Sequence, residues 1–167
     1  MVVVAILAVL AALAAPSFTP LIERWRVRDA AESLTSTFYF ARSEAIKRGG
    51  SVVIQANSST DWGAGWHVFF DVNADGAQDC KATDTPNECD LQVSPVPTNV
   101  TINLPNTTGG VSVDRWGMQS HAGGASTPTN MAFELFPAGK SSSDASAAHL
   151  CVGTGGRIVR KNGDEAC

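Results

Sequence analysis

The sequence predicts an α+β fold, with one long N-terminal helix packed on an antiparallel β-sheet head. Three observations in its 167 residues lead there. The chain opens MVVVAILAVLAALAAP, with no charged side chain before Pro16. Residues 21–50 then keep apolar positions three or four apart. After Gly50 the helical period gives way to short β-branched and aromatic runs separated by turn clusters.

A hydrocarbon core of ~30 Å needs about 20 helical residues, so Met1–Ala15 reaches only about three quarters of the way across. A secretory signal peptide is the first alternative, but the run lacks a basic start and no cleavage-site loop follows Pro16. Instead Val27, Ala30, Ala31, Leu34, Phe38, Ala41, Ala45 and Ile46 recur at helical spacing, with Arg28, Asp29, Glu32, Arg42 and Lys47 between them. Gly49-Gly50 supplies the stop. A buried core helix is the second alternative. Such a helix is seldom Val, Ala and Leu on every side for four turns. The expected organisation is therefore a membrane stem over 1–22, an amphipathic continuation over 23–50, and a β-rich head over 51–167. The stem is built on Met1, Val2, Val3, Val4, Ala5, Ile6, Leu7, Leu10, Leu13 and Pro16.

Composition narrows the function. Charged residues make up 17% of the chain and the net charge is −4, which argues against a general nucleic-acid binder while leaving room for a local basic patch. The four cysteines, Cys80, Cys89, Cys151 and Cys167, form no C-x-x-C pair and have no histidine at zinc-ligand spacing. Two disulfides in an oxidising compartment follow. Three pairings are formally open, and the local ones, Cys80–Cys89 and Cys151–Cys167, are preferred.

Seven segments read as strands: SVVIQA, WHVFFDV, VTINL, VSVDRWG, NMAFELF, HLCVG and RIVRK. They predict one antiparallel sheet of six or seven strands, one face of which covers the amphipathic side of the helix.

Few residues promise chemistry. Asp71, Asn73, Asp75 and Gly76 reproduce the opening of an EF-hand loop, and Asp79 falls at its ninth position, but Ala82 occupies the twelfth, where a bidentate Glu belongs. An ordinary hairpin turn with incidental carboxylates is the preferred reading. AGKSSS lacks the first glycine of a phosphate-binding loop, since Glu134 stands there. His67, His121 and His149 are scattered, without a nucleophile or zinc motif. No enzyme activity, cofactor or small-molecule substrate is expected. Arg24, Arg26 and Arg28 surround Trp25 just beyond the apolar run, a usual arrangement at a membrane interface.

The apolar start, the helix ending ARSEAIKRGG, and the strand GWHVFFDVNADGAQD together resemble the bacterial type IV pilin superfamily, and within it the GspH/FimT family of minor pilins and pseudopilins. The resemblance implies a single-pass subunit in the bacterial inner membrane with its head in the periplasm, exposed at the cell surface if assembled into a pilus. Its partners would be membrane lipids before assembly and other pilins afterwards, through the N-terminal helix. It would help to initiate or cap a type IV pilus or, alternatively, act in a type II secretion filament. It also implies a basic leader and a start close to Phe-Thr-Leu-Ile-Glu-Leu ahead of Met1, which would lengthen the apolar segment to about 21 residues. The C-terminal stretch GTGGRIVRKNGDEAC resembles the Gly-Arg-rich segment through which some FimT-like minor pilins are thought to bind DNA. Arg157, Arg160 and Lys161 are its cations, and contacts to phosphates would be sequence-independent. A charged, solvated edge strand is the structural alternative for the same residues. On an extended strand Arg157 and Lys161 share one side and Arg160 the other.

Overall fold

The computed structural model describes residues 2–58, 60–81, 83–84, 86–105, 109–123, 127–163 and 165–167, and for residues 5–17 the backbone alone. Met1, Ala82 and the side chains of Ala5, Ile6, Leu7, Leu10, Leu13 and Pro16 therefore lie outside the described set.

Helix α1 runs from Val2 to Arg48 and passes through Pro16 and Pro20. It stops where the sequence says it should. Gly49 and Gly50 both take positive φ, and both donate their N–H to the Ala45 carbonyl, at 2.9 and 2.8 Å. Left-handed glycine is the usual way to satisfy the last carbonyls of a helix.

Among the described residues nine strands follow, not six or seven, and they form two sheets rather than one. The first sheet orders β3 (Asp90–Val93), β2 (Asp61–Phe70), β1 (Val52–Ser58), β5 (Gly110–Val113) and β6 (Gln119–His121). The second orders β4 (Val100–Asn103), β7 (Met131–Pro137), β8 (Ala148–Val152) and β9 (Ile158–Asn162). All pairings are antiparallel. The two unexpected strands, DLQV and QSH, are short and polar and exist as edges because longer neighbours offer them a ladder.

Both sheets cover one helix face: α1 packs on β1 and β5 of the first and on β4, β7 and β8 of the second. Val27, Ala30, Ala31, Leu34, Phe38, Ala41 and Ala45 are buried there with Ile54, Trp62, Trp66, Ile102, Phe133, Leu135 and Leu150. The four alanines let backbone approach backbone. Phe38 and Leu34 supply the bulk, and burying each contributes roughly 1.5–3 kcal/mol. Phe133 meets both Phe38 and Trp62 edge-on, with centroids 5.7 and 5.0 Å away. Ile46, read as part of this stripe, is instead 55% exposed, because Ala45 takes the inward position and Ile46 lies about 100° further round.

One polar group enters the seam. Thr37 is fully buried; its Oγ1 accepts from Trp66 Nε1 at 2.9 Å, lies 3.3 Å from Ser94 Oγ, and donates back to the Ser33 carbonyl. Disulfides join Cys80 to Cys89 and Cys151 to Cys167.

Candidate functional site

The two halves of α1 have different surroundings. The first residue buried against the head is Val27, whereas Val2, Val3, Val4, Phe18, Leu21 and Ile22 are exposed and Trp25 is 67% exposed. Among the described residues, no helix is long and apolar enough to cross a membrane. Trp25 and Arg26 line a groove of about 410 Å³ against Pro95, Val96, Pro97 and Thr98. Arg28 turns away to pair with Glu32 at 2.8 Å, one helical turn on, and that hydrogen bond holds the Glu32 carboxyl below its ordinary range. Lower on the helix, Glu23 reaches the head: Lys140 Nζ donates to its Oε2 at 2.6 Å, which pushes the Lys140 ammonium pKa up.

The acidic loop after β2 is held from within. Glu88, buried, is its anchor: Oε1 accepts from the N–H groups of Val72 and Asn73, and Oε2 from that of Asp79. Asn73 and Asp75 bond each other, and Asp75 Oδ1 also accepts from Ala77 N–H at 2.8 Å. Asp71 Oδ2 accepts from Gly76 N–H. The acceptors that an EF-hand would aim at an ion are thus aimed at backbone, and among the described residues no three His, Cys, Asp or Glu side chains converge on a metal position. Asp79 contributes its N–H, not its carboxylate, to this anchor. Glu88 escaped the sequence reading because a glutamate beside a cysteine in a loop carries no spacing signal.

The three cations of the C-terminal hairpin diverge. Arg160 lies on the helix side of β9, 3.8 Å from Glu32, and borders a groove with Tyr39. Lys161 lies on the other face, where its ammonium donates to the Ala166 carbonyl at 2.7 Å. That bond and the Cys151–Cys167 disulfide strap the C-terminal residues over the hairpin's outer face. Arg157 remains exposed just before β9.

A different basic grouping forms at the far end of α1. Arg42 threads between the β5–β6 and β8–β9 turns and donates to the Gly155 carbonyl at 3.1 Å. A methyl group on Gly117 or on Gly156 would collide with its guanidinium. Beside Gly117, Arg115 lies over the ring of Trp116, 5.0 Å from its centroid, and Trp116 is largely exposed; beside Gly156 stands Arg157. No short motif announces this arrangement, since its parts lie more than a hundred residues apart.

A long helix whose second half is sealed by two antiparallel sheets, and whose first half shows exposed apolar side chains at Val2, Val3, Val4, Phe18, Leu21 and Ile22, defines the pilin class of α+β subunits. The chain belongs to the GspH family, described as type II transport protein GspH, whose profile matches residues 30–156. Two crystal structures of the type IV minor pilin FimU of Pseudomonas aeruginosa strain PAO1 are similar in fold. One superposes with a TM-score of 0.65 at 23% identity, covering 86% of this chain and 94% of that one. The second crystal form gives a TM-score of 0.59 at 21% identity, covering 84% and 96%. No curated protein matches the sequence.

Proposed function

We propose that the chain is a minor pilin of a type IV pilus: a filament subunit that initiates or caps the fibre, with 1–22 as the membrane and filament stem, 23–50 as the helix that carries the head, and 51–167 as the head. The observation that carries this reading is the exposure of Val2, Val3, Val4, Phe18, Leu21, Ile22 and Trp25 on the same helix that the head seals from Val27 onward. Such a surface needs lipid or neighbouring helices to cover it. A pseudopilin of a type II secretion filament is the alternative, and the same stem would serve it. Vesicle flotation tests the stem: the full chain is expected to float with lipid and a chain lacking residues 1–25 to stay behind. Recovery of both in the unbound fraction would remove the reading.

A second reading, sequence-independent DNA binding, draws support from the Arg115–Trp116 stack and Arg157 on either side of Arg42 more than from Arg160 and Lys161, whose cations already have partners. An exposed indole with flanking guanidiniums suits stacked bases and phosphates. Replacing Arg115 and Arg157 together by Gln should abolish any low-salt anisotropy change with a labelled oligonucleotide. Replacing Arg160 and Lys161 should leave it nearly intact. The opposite ranking, or no anisotropy change with the parent chain, would dismiss this patch.

A further inference from the structure

The first sheet has a second, smaller apolar cluster on the face turned away from α1, made by Val53, Phe69 and Ala122. Above it lies a cleft of about 370 Å³ between the acidic loop and the β5–β6 hairpin. Val53, Ser112 and Ser120 are successive partners across β1, β5 and β6 and form its floor. Gly76 brings the loop down onto the chain at Gly123; a methyl group there would stand 3.0 Å from the Gly123 nitrogen. Asp71, Asp75 and Asp114 line the cleft, and no Lys or Arg is among the described residues that do.

These carboxylates are not equivalent. Asp75 and Asp114 lie exposed or half-buried and are occupied by backbone: Asp114 Oδ1 accepts from Trp116 and Met118 N–H, and Asp75 from Ala77 N–H. Asp71 is 4% exposed, and while its Oδ2 accepts from Gly76 N–H at 2.9 Å, its Oδ1 is enclosed with no donor. An ionised oxygen withdrawn from water without a donor is destabilising, so the site is complete only when a donor arrives. A divalent cation would need several further oxygen ligands, and the neighbouring carboxylates are committed elsewhere. A group that brings its own hydrogen-bond donors and one positive charge needs a single carboxylate and a few hydroxyls.

We propose that this cleft receives the guanidinium or ammonium group of a basic side chain carried by another protein, with Asp71 Oδ1 as the main acceptor and the Ser112 hydroxyl as a second. The site is on the face opposite α1 and does not rest on the filament reading, since neither stem nor helix takes part.

The test is an amide chemical-shift titration of the isotope-labelled full chain in detergent micelles. The probes are Nα-acetyl-arginine methylamide, putrescine and calcium ion. The arginine probe is expected to give saturable shifts at Asp71, Gly76, Ser112 and Gly123. Asp71→Asn keeps an acceptor for Gly76 N–H but loses the charge, and should weaken binding about tenfold, while Ser112→Ala, which leaves the loop untouched, should weaken it about threefold. Tighter binding of arginine than of putrescine supports a protein side chain; saturation by either supports the ammonium–guanidinium chemistry. Saturation by calcium alone, absence of saturable shifts at these residues, or equal binding by both variants overturns the proposal.

Discussion

Within one continuous helix, residues 27–45 are amphipathic, residues 2–25 are almost wholly apolar, and their circumstances are opposite. The later stretch meets two sheets and is buried on one face; among the described side chains of the earlier one, Glu23 pairs with Lys140 and Arg24 and Trp25 border grooves. Both stretches are helical, so secondary structure alone does not account for the contrast. Burial does. The folding energy of the head comes from the seam, to which the exposed apolar side chains Val2, Val3, Val4, Phe18, Leu21 and Ile22 add little.

The contrast breaks hardest at Phe38. Phe38→Ala should cost the folded head about 3–5 kcal/mol, because the ring is buried and edge-on to Phe133 and its loss leaves a cavity between the sheets. Leu21→Ala, an equally apolar truncation on the exposed half, should stay within about 0.5 kcal/mol in denaturant melts while weakening vesicle flotation. Equal destabilisation by the two would erase the distinction. Replacing Cys151 and Cys167 by Ser should cost about 3 kcal/mol, the chain-entropy value for a closed loop of this size, and should free Lys161 from Ala166. Thermal melts with and without reductant on the parent and the double variant separate this from the Cys80–Cys89 contribution. Thr37→Val, nearly isosteric, should cost about 1–3 kcal/mol by leaving Trp66 Nε1 buried without an acceptor. A melt unchanged by that substitution would mean Ser94 can take over the bond.

The smallest effect is a pH dependence. Burial holds the His67 pKa below its ordinary 6.5, with the Asp90 charge acting weakly in the other direction. Below pH 6.5 the unfolded chain therefore binds a proton that the folded one resists, so stability should fall as pH drops from 6.5 toward 5 and recover above 6.5. His67→Gln should flatten that window. The Glu32 and Glu44 carboxyls, lowered chiefly by hydrogen bonds to Arg28 and Arg48, matter only further down, near and below 4.5.

The sequence revealed the seam better than it revealed the surfaces. Seven of the helix positions read as inward-facing are buried because period and burial are one geometrical fact; Ile46 was read with its neighbour Ala45, and two adjacent residues about 100° apart cannot both face the seam at this last turn. Every strand read from β-branched runs is present, whereas β3 and β6 are strands by virtue of their neighbours and have no pattern of their own. The division into two sheets was hidden for the same reason, since pairing is decided between distant segments. The local disulfides were legible from spacing. Among the surfaces, strand alternation in RIVRK already put Arg160 and Lys161 on opposite faces, but their partners Glu32 and the Ala166 carbonyl had no signal in the sequence. Glu88, Arg42 and the Asp71 cleft depend on chain crossings that no local pattern encodes.

The position of Arg42 links sites that selection would otherwise treat separately. Its side chain fills the space that a Cβ on either Gly117 or Gly156 would need, and it does so at turns belonging to different sheets. A side chain at either turn therefore meets two obstacles, the Arg42 guanidinium and a left-handed backbone, and shortening residue 42 removes only the first. Arginine at 42 and glycine at 117 and 156 should therefore be kept together among descendants of this chain, although 114 residues separate the outer two along the backbone.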